Sequence, residues 1–171
     1  VLGVAGLVLV VDQGAKWAAV TFREGQPAIA VVGQWIQLTV IRNAGAAFGL
    51  GASATIVFSL VAVAVAVVVV KQARTLTSRA WAVALGALLG GAVGNLIDRL
   101  TRSPGVGRGA VVDFVDVKYF SVFNLADAAL TLAAVSIAVL AVRGVAMSEP
   151  VSGASSPGDE LPADQPPYSD L

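Results

Sequence analysis

The chain has 171 residues, 57% hydrophobic and 13% charged, with a mean hydropathy of +0.82, whereas a soluble domain is about a quarter charged. A charge deficit of this size, concentrated in runs such as residues 59–70 (SLVAVAVAVVVV), marks a membrane protein. Neither cysteine nor histidine occurs, which excludes disulfides, thiol nucleophiles, the usual zinc sites and histidine triads. The formal charge of zero divides unevenly: residues 1–147 carry all 11 bases and 6 acids (+5), and residues 148–171 carry 5 acids and no base (−5). The bases are scattered, so no nucleic-acid partner is expected.

A helix needs about 20 mainly apolar residues to cross a bilayer. Four segments qualify. The first runs from Val1 to Val20, interrupted by Asp12, Gln13 and Lys16. The chain opens on valine, and no small-residue cleavage site of a signal peptide follows this span. Residues 31–42 (VVGQWIQLTVIR) are β-branched and aromatic with partial alternation, which predicts one or two short strands. The run Gly45 to Gly49 then returns the chain towards the membrane.

The second span covers about Ala52 to Val70 without a charge, and the third Ala80 to Ile97. Within the third, Gly86, Gly90 and Gly94 recur every fourth residue and give one helix face a close approach to a neighbour. Asn95, Asp98 and Arg99 end that span. Asp113 and Asp116 fall in what reads as a short connection (VVDFVD). The fourth span is expected from Phe120 to Val142, with Asn124 and Asp127 inside it and Asp127 roughly 10 Å along its axis. The proline-rich acidic stretch 148–171 cannot bury enough surface to order itself and reads as a disordered tail behind a 1–147 membrane domain. Charge counting does not orient the spans: four bases (Lys71, Arg74, Arg79, Arg143) mark one side and six loop bases the other.

The polar residues inside the spans carry the chemistry. Asp12 and Lys16, four apart, read first as a structural ion pair. Asp98 and Arg99 read equally as an interfacial cap and anchor or as functional groups, and Asp116 as a solvent-facing acid. A lone carboxylate in an apolar span costs about 3 kcal/mol and marks a functional site, so Asp127 is the prime candidate. Spans three and four meet on the side that holds Asp113, which places Asp113 and Asp127 at one depth. Two carboxylates sharing a proton activate water without a metal, so no cofactor is expected. A proton relay in a transporter would use the same pair, and a scaffold subunit would use the glycine face alone.

In order along the chain stand D-x-x-x-K (Asp12, Lys16), N-x-G-x-x-F (Asn43, Gly45, Phe48), G-G-x-x-G-N-x-x-D-R (Gly90 to Arg99), V-V-D-F (Val111 to Phe114) and F-N-x-A-D (Phe123 to Asp127). This pattern, spread over about residues 1–142, resembles the lipoprotein signal peptidase family, bacterial signal peptidase II. The resemblance implies an all-α polytopic fold of four transmembrane helices with a small strand-containing extracytoplasmic element. Also implied is an aspartic endopeptidase of the inner membrane, with both termini cytoplasmic and the active site near the outer leaflet. It would remove signal peptides from prolipoproteins, cutting before a diacylglyceryl-modified cysteine. By resemblance Asp113 and Asp127 are the catalytic pair, and Asp12, Lys16, Asn43, Gly45, Asn95, Asp98, Arg99 and Asn124 bind substrate or support the site. The expected partners are lipidated prolipoproteins and membrane lipid, and the expected state is a monomer.

Overall fold

Apolar backbone in a bilayer must satisfy its own hydrogen bonds, so even valine-rich runs with low helix propensity become helices. In the computed structural model, which describes residues 1–44 and 51–148, four such helices form: α1 (Leu2–Arg23), α2 (Gly51–Gln72), α3 (Arg79–Thr101) and α4 (Leu125–Val142). Each is long and apolar enough to cross a membrane. α3 is the hub, with 56% of its most apolar window buried against 11–17% in the others. Its glycine face is the reason. A Cβ at Gly86 would lie 2.7 Å from the Val1 carbonyl oxygen, and one at Gly90 the same distance from that of Ala5. On another side of α3, a Cβ at Gly91 would meet the Ala126 carbonyl oxygen at 2.7 Å. Glycine thus brings α1 and α4 into backbone contact with α3, as small residues do where lipid removes the hydrophobic drive for association.

Four strands, β1 (Ile29–Val32), β2 (Ile36–Asn43), β3 (Val111–Val117) and β4 (Ser121–Phe123), make one antiparallel sheet in the order β1-β2-β3-β4. The strands expected within 31–42 are present. The expected class, four apolar helices with a small strand-containing element, fits, but the fold is not purely all-α: VVDFVD is no connection but a strand, and its partner β2 lies some 70 residues earlier, pairing Asn43 with Val111 and Ile41 with Asp113. The fourth span also starts later than expected. Residues 121–123 pair with β3 as β4, and the helix begins at Leu125. Asp127 therefore sits in the first turn of α4 rather than two turns in. The expected turn at Gly45 to Gly49 and the tail from 149 onward lie outside the described residues.

At the end of the bundle away from the sheet, Val1, Leu2, Val70, Arg74 and Ala82 surround one cavity. There the segment after α4 packs on the α2–α3 loop. The Trp81 indole N–H donates to the Val145 carbonyl at 2.8 Å, and the Thr77 and Ser78 amides donate to that of Met147 at 3.2 Å. Both ends of the described chain thus share one side of the bundle, and the sheet occupies the other. Exposed apolar side chains such as Leu7, Val10, Leu60, Val68 and Leu132 cover the helices' outer faces, as expected where lipid is the solvent.

Gly90→Leu should prevent α1 from closing on α3. Membrane-inserted, monodisperse protein recovered in detergent should fall several-fold, and wild-type recovery would show that the close approach does not hold the bundle together.

Candidate active site

The site grows from a charge cluster with no access to solvent. Asp12, Lys16 and Asp98 are all 0% exposed. The Lys16 ammonium lies 2.8 Å from Asp12 Oδ2 and 3.0 Å from Asp98 Oδ2, and donates to Asn95 Oδ1 at 2.9 Å. Gly94 admits this cluster, since a Cβ there would stand 2.7 Å from Asp12 Oδ2. The two carboxylates also accept from further groups. Asp12 Oδ1 accepts the Ala126 amide at 2.9 Å, Asp98 Oδ2 accepts that of Val112 at 3.2 Å, and Asp98 Oδ1 accepts Arg102 Nε at 2.7 Å. Two acids thus balance two bases, and the cluster ties α1, α3, β3 and α4 together. The expected Asp12–Lys16 pair is real but is half of a larger assembly.

Two of its members were not singled out from the sequence. Gln13 donates to the Gly94 carbonyl at 3.0 Å and to Asp12 Oδ2 at 3.2 Å, and Arg102 pairs with Asp98. The signal for Arg102 was its four-residue spacing from Asp98. Gln13 carried no comparable signal.

From this base two carboxylates are held side by side. Asn124 is the N-cap of α4, and its Oδ1 accepts the Asp127 amide at 3.0 Å while Asp127 Oδ2 accepts the Asn124 amide at 3.3 Å, a reciprocal capping box. Asn124 Nδ2 donates to Asp113 Oδ1 at 2.6 Å, and Asn43 Nδ2, at the end of β2, donates to Asp113 Oδ2 at 2.9 Å. Asn95 Nδ2 donates to Asp127 Oδ1 at 2.7 Å. Asp113 and Asp127 therefore share Asn124, and each carboxylate oxygen accepts one N–H. Burial pushes the Asp113 carboxyl up from 3.8 to about 6; the amides of Asn43 and Asn124 pull it back, and the charge of Asp127 adds to the rise.

Asp113 and Asp116 are three apart on β3, an odd separation that turns them to opposite faces of the sheet; the register shift in the β2–β3 ladder, between Leu38 and Ile41, adds its extra residue to β2. Asp113 is buried, whereas the half-buried Asp116 lines a separate polar hollow with Gln34, Gln37, Lys118 and Tyr119. Asp116 lies within β3 rather than at the approach to a helix. Arg99 donates to the Asn95 carbonyl at 3.2 Å, and its guanidinium stands 5.7 Å from the Phe58 ring centre. Gly45 lies outside the described residues.

Asp127 opens on two cavities. One of about 340 Å³ runs between α2, α3 and α4, with Asn43, Asn95, Arg99 and Asp127 polar against Phe58, Val61, Leu88 and Leu130. The other, about 570 Å³, is bounded by β4 and α4 through residues 120–123, Thr131 and Leu132. Among the described residues no three acidic side chains gather as a metal site.

A family model described as Signal peptidase (SPase) II matches residues 4–143. The chain belongs to the signal peptidase II family. Similar proteins include the lipoprotein signal peptidase of Streptomyces griseus, 48% identical over 144 residues (84% of this chain, 74% of that one). That of Streptomyces coelicolor is 48% identical over 142 residues (83% and 70%). Two solved structures described as a bacterial membrane enzyme superpose with TM-scores of 0.70 and 0.67, at 28% and 30% identity. Each covers 82% of this chain, and 90% and 85% of its own. With four apolar helices, membership makes this chain a multi-pass bacterial membrane protease of the family that processes lipoproteins.

The raised Asp113 carboxyl has a consequence for stability. A carboxyl that binds its proton more tightly folded than unfolded favours the folded state below about pH 4, and that contribution is lost as the pH rises through about 6. Thermal unfolding in detergent should show the wild type losing stability relative to Asp113→Asn between pH 4 and 7. A constant difference over that range would mean that Asp113 titrates normally.

Proposed function

We propose that this chain is an aspartic endopeptidase that removes signal peptides from prolipoproteins, cutting before a cysteine already carrying a diacylglyceryl group. The observation that carries the reading is the Asn124 bridge: its side chain donates to the Asp113 carboxylate and its backbone N–H to that of Asp127, which lines a cavity with apolar walls. Such a pair can run peptide hydrolysis with one carboxyl as base and the other as acid. Asp127, reached from both cavities, takes a proton from water as its oxygen attacks the scissile carbonyl carbon. Asp113, whose burial favours the protonated form, passes its proton to the developing oxyanion. As the C–N bond breaks, the proton on Asp127 moves to the leaving nitrogen and a hydroxyl proton of the diol returns to Asp113. One water has then been added across the peptide bond and both carboxyls are restored.

The cavity walls of Phe58, Val61, Leu88 and Leu130 suit the apolar signal helix or acyl chains, while Arg99 and Asn95 line the polar end near the bond. Asn43 binds or orients the substrate backbone together with Asp113. The sheet end faces the outer leaflet and both termini are cytoplasmic, in a protein that works as a monomer. The peptidase domain ends where residues 145–148 dock on the α2–α3 loop, and a chain stopped after Ser148 should keep its specific activity.

The test is cleavage of a diacylglyceryl-modified prolipoprotein by purified protein in lipid. Asp113→Asn and Asp127→Asn should each lower turnover by at least about a thousandfold, and the double variant should be little worse, because groups acting as a unit are not additive. Asp116→Asn should stay within about threefold of wild type, as a substitution away from the reacting atoms does. Full activity in Asp113→Asn with loss in Asp116→Asn would overturn the pairing. Solute uptake by vesicles without cleavage would overturn the activity itself.

A further inference from the structure

An asparagine amide has one accepting and one donating end, and which end faces a carboxylate decides whether the contact attracts or repels. Around this site the choice is made by groups that can only donate. Asn124 Oδ1 faces the Asp127 backbone N–H, so its nitrogen faces Asp113. Asn95 Oδ1 faces the Lys16 ammonium at 2.9 Å, and its nitrogen stands 2.7 Å from Asp127 Oδ1. Lysine has three N–H donors and no acceptor, and here all three are engaged, by Asp12, Asp98 and Asn95. Lys16 is 0% exposed, so no water competes for them.

We infer that Lys16 is a positioning residue for the hydrolytic reaction: by gripping the Asn95 oxygen it obliges the Asn95 N–H to point at Asp127. The buried ion cluster does more than tie helices together; it sets the direction of a hydrogen-bond relay that runs from α1 through α3 to the first turn of α4. Asp12 and Asp98 hold the ammonium, the ammonium orients Asn95, and Asn95 fixes the Asp127 carboxylate in the rotamer that reaches water. Without a pure donor at that point the amide can turn over and present its oxygen to Asp127, where it would repel the carboxylate. The inference rests on Asp127 acting in catalysis as proposed above.

The experiment uses full-length protein reconstituted in lipid and the same diacylglyceryl-modified prolipoprotein. Lys16→Met leaves a buried carboxylate unpaired, so it is combined with Asp12→Asn, which keeps the cluster neutral and retains an oxygen for the Ala126 amide. This pair should lower kcat by at least about tenfold, with KM within about twofold and with normal monodispersity in detergent. Asn95→Leu should lower kcat to a similar level. Adding the Lys16→Met and Asp12→Asn pair to Asn95→Leu should cost less than about twofold more, because both changes break the same chain. Asn95→Asp covers the case in which the pair fails to fold: it keeps a partner for Lys16 but turns an oxygen to Asp127, and its kcat should match that of Asn95→Leu.

Losses that multiply in the combined variant, a rise in KM alone, or wild-type kcat in the charge-neutral pair or in Asn95→Asp would each overturn the relay. The catalytic reading fails separately. If Asp127→Asn still cleaves, Asp127 is not catalytic; if it is inactive while the Lys16→Met and Asp12→Asn pair turns over normally, the relay alone falls.

Discussion

Lys16 is a full positive charge with no exposed surface, and the rest of the site is arranged around making that tolerable. Moving an isolated ammonium out of water costs several kcal/mol even after relaxation, and the attraction of nearby acids offsets this only when geometry and hydrogen bonding are complete. Here they are: two acids and an amide take all three N–H bonds, the Ala126 amide and Arg102 meet the acids' other oxygens, and Gln13 and the Val112 amide add bonds to the oxygens that face Lys16. Because those partners come from α1, α3, β3 and α4, the network can close in one relative placement of the elements. A slip of α1 by one turn, about 5 Å, would carry the ammonium out of hydrogen-bond reach of Asn95. Burial of charge in this position fixes register, a use of ion pairs better founded than any gain in stability.

The sheet provides what the bundle cannot. Asp113 comes from a strand and Asp127 from a helix; the β3–β4 pairing, with Val115 opposite Phe123, brings the start of α4 towards Asp113, and the β2–β3 pairing brings Asn43 to it. Asn43 ends β2 opposite Val111, close enough along the ladder for its amide to reach Asp113. Val112, between them on β3, is fully buried and donates its N–H to Asp98, so the strand that carries Asp113 is anchored on the same cluster that holds Lys16. The doubly paired Arg42–Glu24 bridge, with contacts of 2.7 and 2.9 Å, adds a surface link between the end of α1 and β2. Both groups are well exposed, so it contributes at most about 1 kcal/mol.

What could be read from the sequence was whatever repeats locally. The four-residue spacings of Asp12 and Lys16 and of the α3 glycines state their helix faces outright, and the alternation in 31–42 states its strands. The β3 strand was hidden because VVDFVD is a short apolar run with a partner about 70 residues away, and nothing within it names that partner. β4 was hidden for a different reason. Residues 120–123 are as apolar as the helix they precede, so hydropathy runs straight through the boundary, and the helix start is marked only by Asn124 and its reciprocal bond with Asp127. That S/T/D/N-x-x-acid spacing is a helix-start signal, and reading it as a cap would have moved Asp127 to the first turn. The acids were recognised as important because charge is costly in lipid. The choice of Asp113 over Asp116 rested on the resemblance alone; that the two lie on opposite faces of a sheet became visible only once 111–117 was known to be a strand.

The position of Asp127 at a helix start also joins stability to chemistry. The first amides of a helix have no partners within it, and at membrane depth water is scarce, so each must be met by protein. On α4 the Ala126 amide is met by Asp12 and the Asp127 amide by Asn124. These are the groups that also hold the ammonium and bridge the two carboxylates. Capping side chains are worth about 0.5–2 kcal/mol to the helix they start, and here the same atoms fix the distance and orientation between the candidate acid and base. The helix cannot fray at this end without separating the pair, and the pair cannot shift without uncapping the helix. In a chain with neither histidine nor cysteine to supply an activated group, this coupling gives two carboxyls a fixed relation, and Asp116 has no part in it.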